Sequence, residues 1–433
     1  MNGRRLLLVT YAFPPIINAQ AIRWLMLVRE LAARGFTVDV LTTRAPAYFQ
    51  DLLDEIPPGV TVHRTWAGPI EGLARAAKAS VRSEDDWFAV RRHQGPRGLG
   101  RDAYRLLRRV ADGALIPDLC SEWLPFAVAS GLAILRQGGC DILVSTSEPG
   151  VDHLTAWALT RRTGLPWLAD FGDPWVNQNT PAWRSSADAA VERTLARRMS
   201  GATVTTPQLA RVYEDRYPHL RPVRVVRQGF DADLFARVAA GRRTGPGPLN
   251  LVYTGTLYSG FREPTPVFEA LRLARSRGLD VVLTVAGRMD ESVIDLAQRV
   301  GVADAVDFAG IVPYKHAISL QKGADVLLHL DNADAPLQVP GKLYEYLAAG
   351  RPVLVVRHAP ADESTAAICV RTGGCGRDVP SDSVAIADAL AAFDMERRSG
   401  RELSADPAFV EAHSFARSAD ELCLAIEEAI ARH

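Results

Sequence analysis

Short apolar runs and longer amphipathic segments alternate along most of the chain. In the first half, apolar runs of buried-strand length predict strands at residues 5–10, 37–42, 60–63, 142–145, 166–169, 203–205 and 223–226. Helical periodicity predicts helices between them at residues 19–34, 122–137, 150–163, 188–199 and from 208 onward. Because the strands alternate with helical crossovers, this pattern predicts a doubly wound parallel sheet.

A second alternating series follows residues 237–248, whose Gly, Pro and Arg residues are typical of a linker. It predicts strands at residues 249–254, 281–286, 306–309, 326–330 and 353–356, with helices between them and a last helix at 415–431. We therefore expect an α/β protein with two Rossmann-like domains and a C-terminal helix that packs back on the first domain. The predicted bounds of these three parts are 1–240, 241–405 and 406–433.

Composition and charge exclude several classes of function. The 433 residues are too many for one ordinary core and agree with two domains. The 50 Lys and Arg residues balance 50 Asp and Glu residues, and no strongly basic domain suggests a nucleic-acid binder. Five cysteines without a CxxC pair argue for reduced thiols in a cytoplasmic protein and against a zinc site. No apolar stretch reaches the roughly 20 residues of a membrane span.

An insertion at about residues 70–120 interrupts the alternation. Seven Arg residues and one Asp lie between 91 and 109, just after Trp87 and Phe88. A basic amphipathic element with aromatic neighbours can lie on an anionic membrane. One interpretation of residues 87–111 is therefore a peripheral contact with the inner face of the membrane. The alternative is a solvated helical insertion, which is the commoner meaning of a charge run.

Residues 337–356, LQVPGKLYEYLAAGRPVLVV, carry the clearest candidate chemistry. Gly341 can open a helix, Gly350 suits the left-handed cap just past its end, and a strand follows. Lys342 and Glu345 share a face of the first turn, while the leucines of this helix are expected to point into the core. The helix dipole and the Lys charge would stabilise a phosphate, and the carboxylate could accept two ribose hydroxyls. The alternative is a capped βαβ helix with an ion pair on its surface.

Loops at the carboxyl ends of parallel strands bind ligands in open α/β sheets, and two such domains leave a cleft. In one of these loops Gly255 would let a phosphate approach the backbone, and Arg262 adds a cation a few residues later. His153 falls in the first turn of a predicted helix, where capping or packing is the commoner role.

The loop ADFGDPW offers Asp170, Asp173 and Trp175 at a strand end. Two carboxylates beside an aromatic ring suit a sugar, because its hydroxyls need acceptors and its ring face can stack. A loop held by a hydrogen bond between Asp and the backbone explains the pattern equally well.

Five segments taken in order carry a resemblance to a known family: YAFPP, SEPGVDHL, LPWLADFGDPW, RQGFDADLF and VPGKLYEYLAAGRPVL. Together they resemble the GT-B-fold, family-4-type bacterial glycosyltransferases, in the subgroup with an Asp-x-x-Asp-Pro-Trp loop. The resemblance implies a nucleotide-diphosphate sugar held mainly by the second domain and a sugar, lipid-linked or small-molecule acceptor held mainly by the first. It also implies retention of anomeric configuration, no required metal and no cofactor beyond the nucleotide-sugar co-substrate.

The resemblance also assigns roles to single residues. Glu345 matches the glutamate that holds the donor ribose, Lys342 the diphosphate side, and His153 a histidine near the donor sugar. The donor-binding set that it implies is Gly255, Thr256, Arg262, Arg288, Lys342, Leu343 and Glu345. The acceptor-side set is Asn18, Gln20, Asp170, Asp173 and Trp175, and the catalytic set is His153, Arg262 and Lys342.

Three departures from the family pattern are visible. Leu337 stands where the family often has a second, sugar-contacting glutamate, and Thr256 stands where many members have an Arg. One cation must then be supplied differently, for example by Arg288 or Lys342. The usual paired glycines of the first loop are replaced around residues 18–20. Two alternatives stay open: a nucleotide-sugar epimerase of the same fold, and a non-catalytic nucleotide-sugar-binding subunit.

Overall fold

The structure is a computed structural model, and it describes residues 3–433 apart from 17, 46–51, 73–114, 116, 148, 177–179, 242–246, 258–261, 332–340, 359 and 362. The chain divides into two compact units. The first unit contains Met1–Arg227 and Ser418–His433, and the second contains Gln228–Arg417. The basic insertion at 87–111 and Leu337 lie outside the described residues.

The first unit is built on a seven-stranded sheet in which every pair of neighbouring strands is parallel. Its order is β3-β2-β1-β4-β5-β6-β7. The strands are β1 Arg5–Val9, β2 Thr37–Thr43, β3 Val60–Thr65, β4 Ile142–Ser147, β5 Trp167–Phe171, β6 Gly201–Val204 and β7 Arg224–Val225. The described helices before residue 228 are α1 Ala19–Ala33, α2 Leu124–Leu135, α3 Val151–Thr163, α4 Ala182–Ala196 and α5 Pro207–Arg216, with 3₁₀ turns at Leu119–Trp123 and Pro218–Leu220.

The order in which the strands follow one another across this sheet reverses between β1 and β4, which lie side by side. Both strands are almost completely buried, as parallel strands covered by helices on both faces are expected to be. Ligands bind open α/β sheets at the carboxyl edge beside such a switch point. The loop after β1 and the start of α3 after β4 are therefore the places to look for a site.

The second unit repeats this architecture with a six-stranded parallel sheet of order β10-β9-β8-β11-β12-β13. Its strands are β8 Leu249–Thr254, β9 Val281–Ala286, β10 Val306–Gly310, β11 Val326–Leu330, β12 Val353–Arg357 and β13 Gly376–Pro380. Its described helices are α6 Ala232–Arg237, α7 Thr265–Ser276, α8 Glu291–Val300, α9 Tyr314–Gly323, α10 Gly341–Ala349, α11 Thr365–Thr372, α12 Ser383–Ser399 and α13 Pro407–Glu411, with a 3₁₀ turn at Ala303–Ala305. Two Rossmann-like parallel-sheet units confirm the predicted fold class.

The division between the units differs from the predicted domain bounds. It falls after Arg227 and again after Arg417, whereas the composition change had placed the first boundary at 240/241. The last helix, α14 Phe415–Ala431, contributes its residues from Ser418 onward to the first unit. None of the helices in the described part of the chain is long and apolar enough to cross a membrane.

Candidate active site

A carboxylate in the second unit is held by two hydrogen bonds from a neighbouring helix. Glu345 on α10 accepts from the Tyr314 hydroxyl at 2.9 Å on Oε1 and from Gln321 Nε2 at 2.9 Å on Oε2. Burial, with the charge of Glu345, raises the pKa of Tyr314 well above its usual value, so this hydroxyl stays protonated and donates. The carboxylate is half-buried, so it is fixed in orientation and can still accept further hydrogen bonds.

The same helix is tied to the carboxyl end of β8. The Tyr346 hydroxyl accepts from the backbone N–H of Thr254 at 3.0 Å, and Gln321 Nε2 also donates to Thr254 Oγ1 at 3.0 Å. Tyr346 is buried, and burial raises its pKa. Helix α10 is thus anchored to Thr254, the last residue of β8.

Lys342 interacts electrostatically with Glu345 on one side and with Arg262 on the other. Burial lowers the pKa of Lys342, Arg262 lowers it further through its charge, and Glu345 opposes both effects. Arg262 Nη1 lies 3.5 Å from the Tyr253 hydroxyl. Two cations and a helix N-terminus beside an oriented carboxylate can hold an anionic group and a pair of hydroxyls at the same time.

Two glycines bring the loops after β8 and β9 together. A Cβ at Gly287, whose φ is +147°, would lie 1.9 Å from the carbonyl oxygen of Gly255. A Cβ at Gly255 would lie 2.9 Å from the Tyr253 hydroxyl. The backbone N–H of Gly255 donates to the carbonyl oxygen of Ala286 at 2.8 Å. Only glycine fits this backbone-to-backbone contact at Gly287.

For three residues of the predicted nucleotide-sugar-binding set, the structure shows a buried side chain, an exposed side chain or a hydrogen bond through the main chain. The Leu343 side chain is fully buried in the core, so only its main chain can reach a ligand. Arg288 is exposed, and its carbonyl accepts from Leu257 N at 2.8 Å. Thr256 is half-buried, and its carbonyl accepts from the Tyr253 hydroxyl at 3.1 Å.

The sequence reasoning missed the pair that orients Glu345. Tyr314 and Gln321 lie seven residues apart on α9 and therefore share one face of that helix. That spacing was available as a signal, because a Tyr and a Gln on one face of a helix preceding β11 can donate to a carboxylate on the helix that follows it.

In the first unit, His153 lies in the first turn of α3, at the carboxyl end of β4, and is fully buried. Its Nδ1 lies 2.7 Å from Ser145 Oγ, and Trp167 Nε1 donates to the same oxygen at 2.7 Å. Burial lowers the pKa of His153 to about 3, so the imidazole is neutral. Its Nε2 is buried and has no hydrogen-bond partner in the described part of the chain.

The loop after β5 covers this histidine. The Trp175 ring stacks on the His153 ring at 5.8 Å between centroids and 20° between planes. The backbone N–H of Trp175 donates to the Tyr213 hydroxyl at 3.3 Å, which holds the loop in place. Trp175 and Asp173 are both half-buried, so each retains surface that a ligand can reach.

Asp170 behaves differently from these two neighbours. It is fully buried, and Arg23 donates to its Oδ2 at 2.5 Å and to its Oδ1 at 3.0 Å. Three further donors complete its coordination, namely Trp24 Nε1 at 3.2 Å, Thr146 Oγ1 at 3.1 Å and Thr203 Oγ1 at 2.8 Å. With five hydrogen bonds and no exposure, Asp170 positions the ends of β4, β5 and β6 and has no oxygen left for an acceptor.

The remaining two acceptor-side residues are also engaged by the protein. Asn18 caps α1, where its side chain accepts from Ala21 N at 2.7 Å. Gln20 Nε2 donates to Ser147 O at 2.7 Å and to Thr146 Oγ1. The described residues contain no group of three or more His, Cys, Asp or Glu side chains arranged to hold a metal ion.

Family models match both halves of the chain. A glycosyl transferase 4-like domain matches residues 18–229, and a glycosyl transferases group 1 domain matches residues 248–393. The chain belongs to the family-4-type glycosyltransferases of GT-B fold. A comparison with the sequences of curated proteins finds no match.

Solved structures show the same fold at low sequence identity. HepE from Anabaena, solved in complex with UDP and glucose, has a TM-score of 0.64 and 15% identity, covering 98% of this chain and 99% of its own. Sucrose-phosphate synthase from Thermosynechococcus elongatus has a TM-score of 0.57 and 17% identity, covering 99% and 96%. A UDP-N-acetylglucosamine 2-epimerase has a TM-score of 0.53 and 12% identity, covering 95% and 91%. The fold is therefore shared between transferases and an epimerase.

Proposed function

We propose that the chain is a retaining, metal-independent hexosyltransferase that moves a sugar from a nucleotide-diphosphate sugar to a hydroxyl acceptor. Its product would belong to a polysaccharide, glycolipid or other glycoconjugate made in the cytoplasm or at the inner face of the membrane. The observation that carries this proposal is the oriented carboxylate of Glu345 beside the cations Lys342 and Arg262 at the start of α10. HepE, which has the same fold, binds UDP and glucose.

The proposed roles follow from charge and geometry. Glu345 accepts the two ribose hydroxyls, because Tyr314 and Gln321 fix its position without consuming all of its lone pairs. The bond between the sugar carbon and the diphosphate oxygen breaks, and the electron pair leaves on the diphosphate. Lys342, Arg262 and the helix N-terminus meet that developing charge. The acceptor hydroxyl attacks the same face, and its proton passes to the departing phosphate oxygen.

In the first unit, we propose that His153 is a hydrogen-bond donor to a sugar hydroxyl. Ser145 Oγ accepts from Trp167 and lies 2.7 Å from Nδ1 of His153. In the tautomer that we propose, the Ser145 hydroxyl donates to Nδ1 and the neutral imidazole carries its proton on Nε2. That buried N–H donor suits a sugar hydroxyl, while the exposed part of Trp175 suits a sugar ring.

Substitutions at the start of α10 test the proposal. Lys342→Ala and Glu345→Ala are each expected to lower kcat/KM by about 100-fold or more, because each removes an interaction made to the donor. The control is Arg299→Ala, an exposed residue of α8 in the same unit, which should keep wild-type activity. A prior thermal-shift screen with UDP, GDP and dTDP selects the donor, since a ligand that binds the folded state raises the melting temperature. Wild-type turnover in both substituted proteins would contradict the proposed site.

An epimerase of the same fold is the second candidate, because a UDP-N-acetylglucosamine 2-epimerase shares the architecture. Incubation with the donor and no acceptor, followed by NMR spectroscopy of the sugar, separates the two. An epimerase changes the configuration of the sugar within the nucleotide sugar, whereas a transferase leaves it unchanged or slowly hydrolyses it. Binding without turnover over a broad panel of acceptors would indicate a non-catalytic binding subunit.

A further inference from the structure

An arginine at the carboxyl edge of the first-unit sheet has no counter-ion among the residues that the structure describes. Arg64 is the penultimate residue of β3, and its Nη2 donates to the carbonyl oxygen of Pro14 in the loop after β1. Its Nη1 is buried and has no hydrogen-bond partner among the described residues. By contrast, Arg5 is paired with Asp39 at 2.8 Å and Arg23 with Asp170.

The half-buried position of Arg64 makes this arrangement costly for the unligated protein. Burial lowers the pKa of Arg64, and no carboxylate in the described part of the chain opposes that effect. A partly desolvated guanidinium whose donors are not all used is stabilised when an anion supplies the missing acceptor. An Arg with only a structural role would be expected to have a carboxylate partner or a full set of carbonyl acceptors.

The side chain also lies where a ligand would be expected. β3 is two strands from β1 in the sheet order, roughly 10 Å at about 4.8 Å per strand, and Arg64 bridges that gap to reach Pro14. On its other side β1 adjoins β4, and His153 follows β4 at the same carboxyl edge. An acceptor whose hydroxyl lies near His153 could place a second group at Arg64.

We propose that Arg64 binds an anionic group, a phosphate or a carboxylate, on the acceptor and thereby selects acidic acceptors. This inference rests on the proposed function only in taking the carboxyl edge of the first unit as the acceptor side. A carboxylate or phosphate accepts two hydrogen bonds from one guanidinium, which a neutral sugar hydroxyl does not match. None of the acceptor-side residues predicted from sequence supplies a positive charge.

The test measures binding of inorganic phosphate and of glucose 6-phosphate to the full chain, with UDP present to occupy the donor site. Thermal shift at constant ionic strength is the readout, and glucose is the neutral comparison. Arg64→Gln should weaken binding of both anions at least about tenfold, and Arg64→Lys should retain part of it. Arg161→Gln, an exposed α3 residue of the same unit, should bind like the wild type.

A second measurement, the melting temperature of the unligated protein, separates a loss of anion binding from a loss of folding. Arg64→Met should melt at the same temperature as the unligated wild type or above it, because it removes a half-buried charge for which the described residues supply no counter-ion. A large fall in melting temperature would assign Arg64 a purely structural role and overturn the proposal. Equal binding of phosphate to the wild type and Arg64→Gln would overturn it as well.

The source of the anion is decided by comparing glucose 6-phosphate with vesicles of phosphatidylglycerol or phosphatidylcholine. Arg64-dependent binding to the sugar phosphate supports a soluble acidic acceptor, and Arg64-dependent binding only to phosphatidylglycerol supports a lipid phosphate. Lys342→Ala separates this site from the donor site, because it should abolish the UDP-induced shift and leave the Arg64-dependent shift intact. A wild type that does not bind UDP, or unchanged UDP binding by Lys342→Ala, would therefore count against the proposed function and not against the Arg64 site.

Discussion

Ser145 lies against one ring nitrogen of His153, and the other, Nε2, has no partner among the described residues. The Ser145 hydroxyl oxygen accepts from Trp167 and lies 2.7 Å from Nδ1 of the histidine. Burial lowers the pKa of His153 to about 3 and keeps the ring neutral at physiological pH, so His153 is not a cation there.

The depressed pKa of His153 predicts how stability depends on pH. Between about pH 6.5 and 3 the unfolded chain binds a proton at this residue and the folded chain does not. Stability therefore falls on acidification through this window, by up to about 1.4 kcal/mol per pH unit from this group. Denaturant unfolding between pH 7 and 4 should show that the unfolding free energy of the wild type falls more steeply with decreasing pH than that of His153→Gln. Parallel pH profiles would mean that the ring ionises in the folded protein.

The ion pair of Arg23 and Asp170 gives a second prediction at this scale. Asp170→Asn leaves a fully buried guanidinium without its counter-charge, which is expected to cost about 3–5 kcal/mol of unfolding free energy. The double variant Arg23→Met/Asp170→Asn should recover part of that loss, because no charge is then left buried alone. Denaturant titration measures both values. A double variant less stable than Asp170→Asn would show that Arg23 stabilises by packing.

Asp170 also shows what the sequence could not reveal about single residues. Its place at a strand end, beside Asp173 and Trp175, suggested an acceptor contact. The partner that saturates it, Arg23, lies 147 positions away on another element. Pairing across such a separation depends on how the strands are ordered, and hydrophobic periodicity carries no information about individual side-chain partners.

At the scale of elements, the strands of the second unit and the last helix were largely predictable. Strands 249–254, 281–286 and 326–330 and the helix at 415–431 have the predicted bounds, because long apolar runs and a regular helical period dominate there. β13 was missed because its five residues, GRDVP, are mostly half-exposed and polar at the edge of the sheet. Helix α4 begins at Ala182, six residues before the predicted start, since Pro181 precedes it as a starting signal.

The contact between the loops after β8 and β9 is an element-scale feature with a sharp test. Gly287→Ala places a Cβ against the backbone of Gly255 and forces a side chain into φ +147°, so a loss of about 3 kcal/mol or more is expected. Gly278→Ala is the matched control, because Gly278 also has a positive φ, +88°, but nothing lies within 4 Å of a Cβ there. That control should lose about 1–2 kcal/mol. Equal losses would indicate that strain alone, and not the loop contact, makes glycine necessary.

At the scale of the whole molecule, the chain returns to its first unit at the end. Residues Ser418–His433 belong to that unit, where Glu427 pairs with Arg4 at 3.1 Å and Leu422 and Ile426 are fully buried. The ion pairs of this segment are partly exposed, so they contribute little to stability. Its apolar side chains should therefore dominate the free energy by which this segment stabilises the first unit.

Leu422→Ala tests this return of the chain. The variant removes a fully buried side chain and should lower the unfolding free energy by about 2–5 kcal/mol. Leu424→Ala is the control on the same helix, since Leu424 is 46% exposed and its loss should cost well under 1 kcal/mol. Because the segment belongs to the first unit, hydrogen exchange should accelerate in β1 and not in β8. Equal acceleration in both strands would show that the two units unfold together, and an unchanged β1 would contradict the assignment of this segment to the first unit.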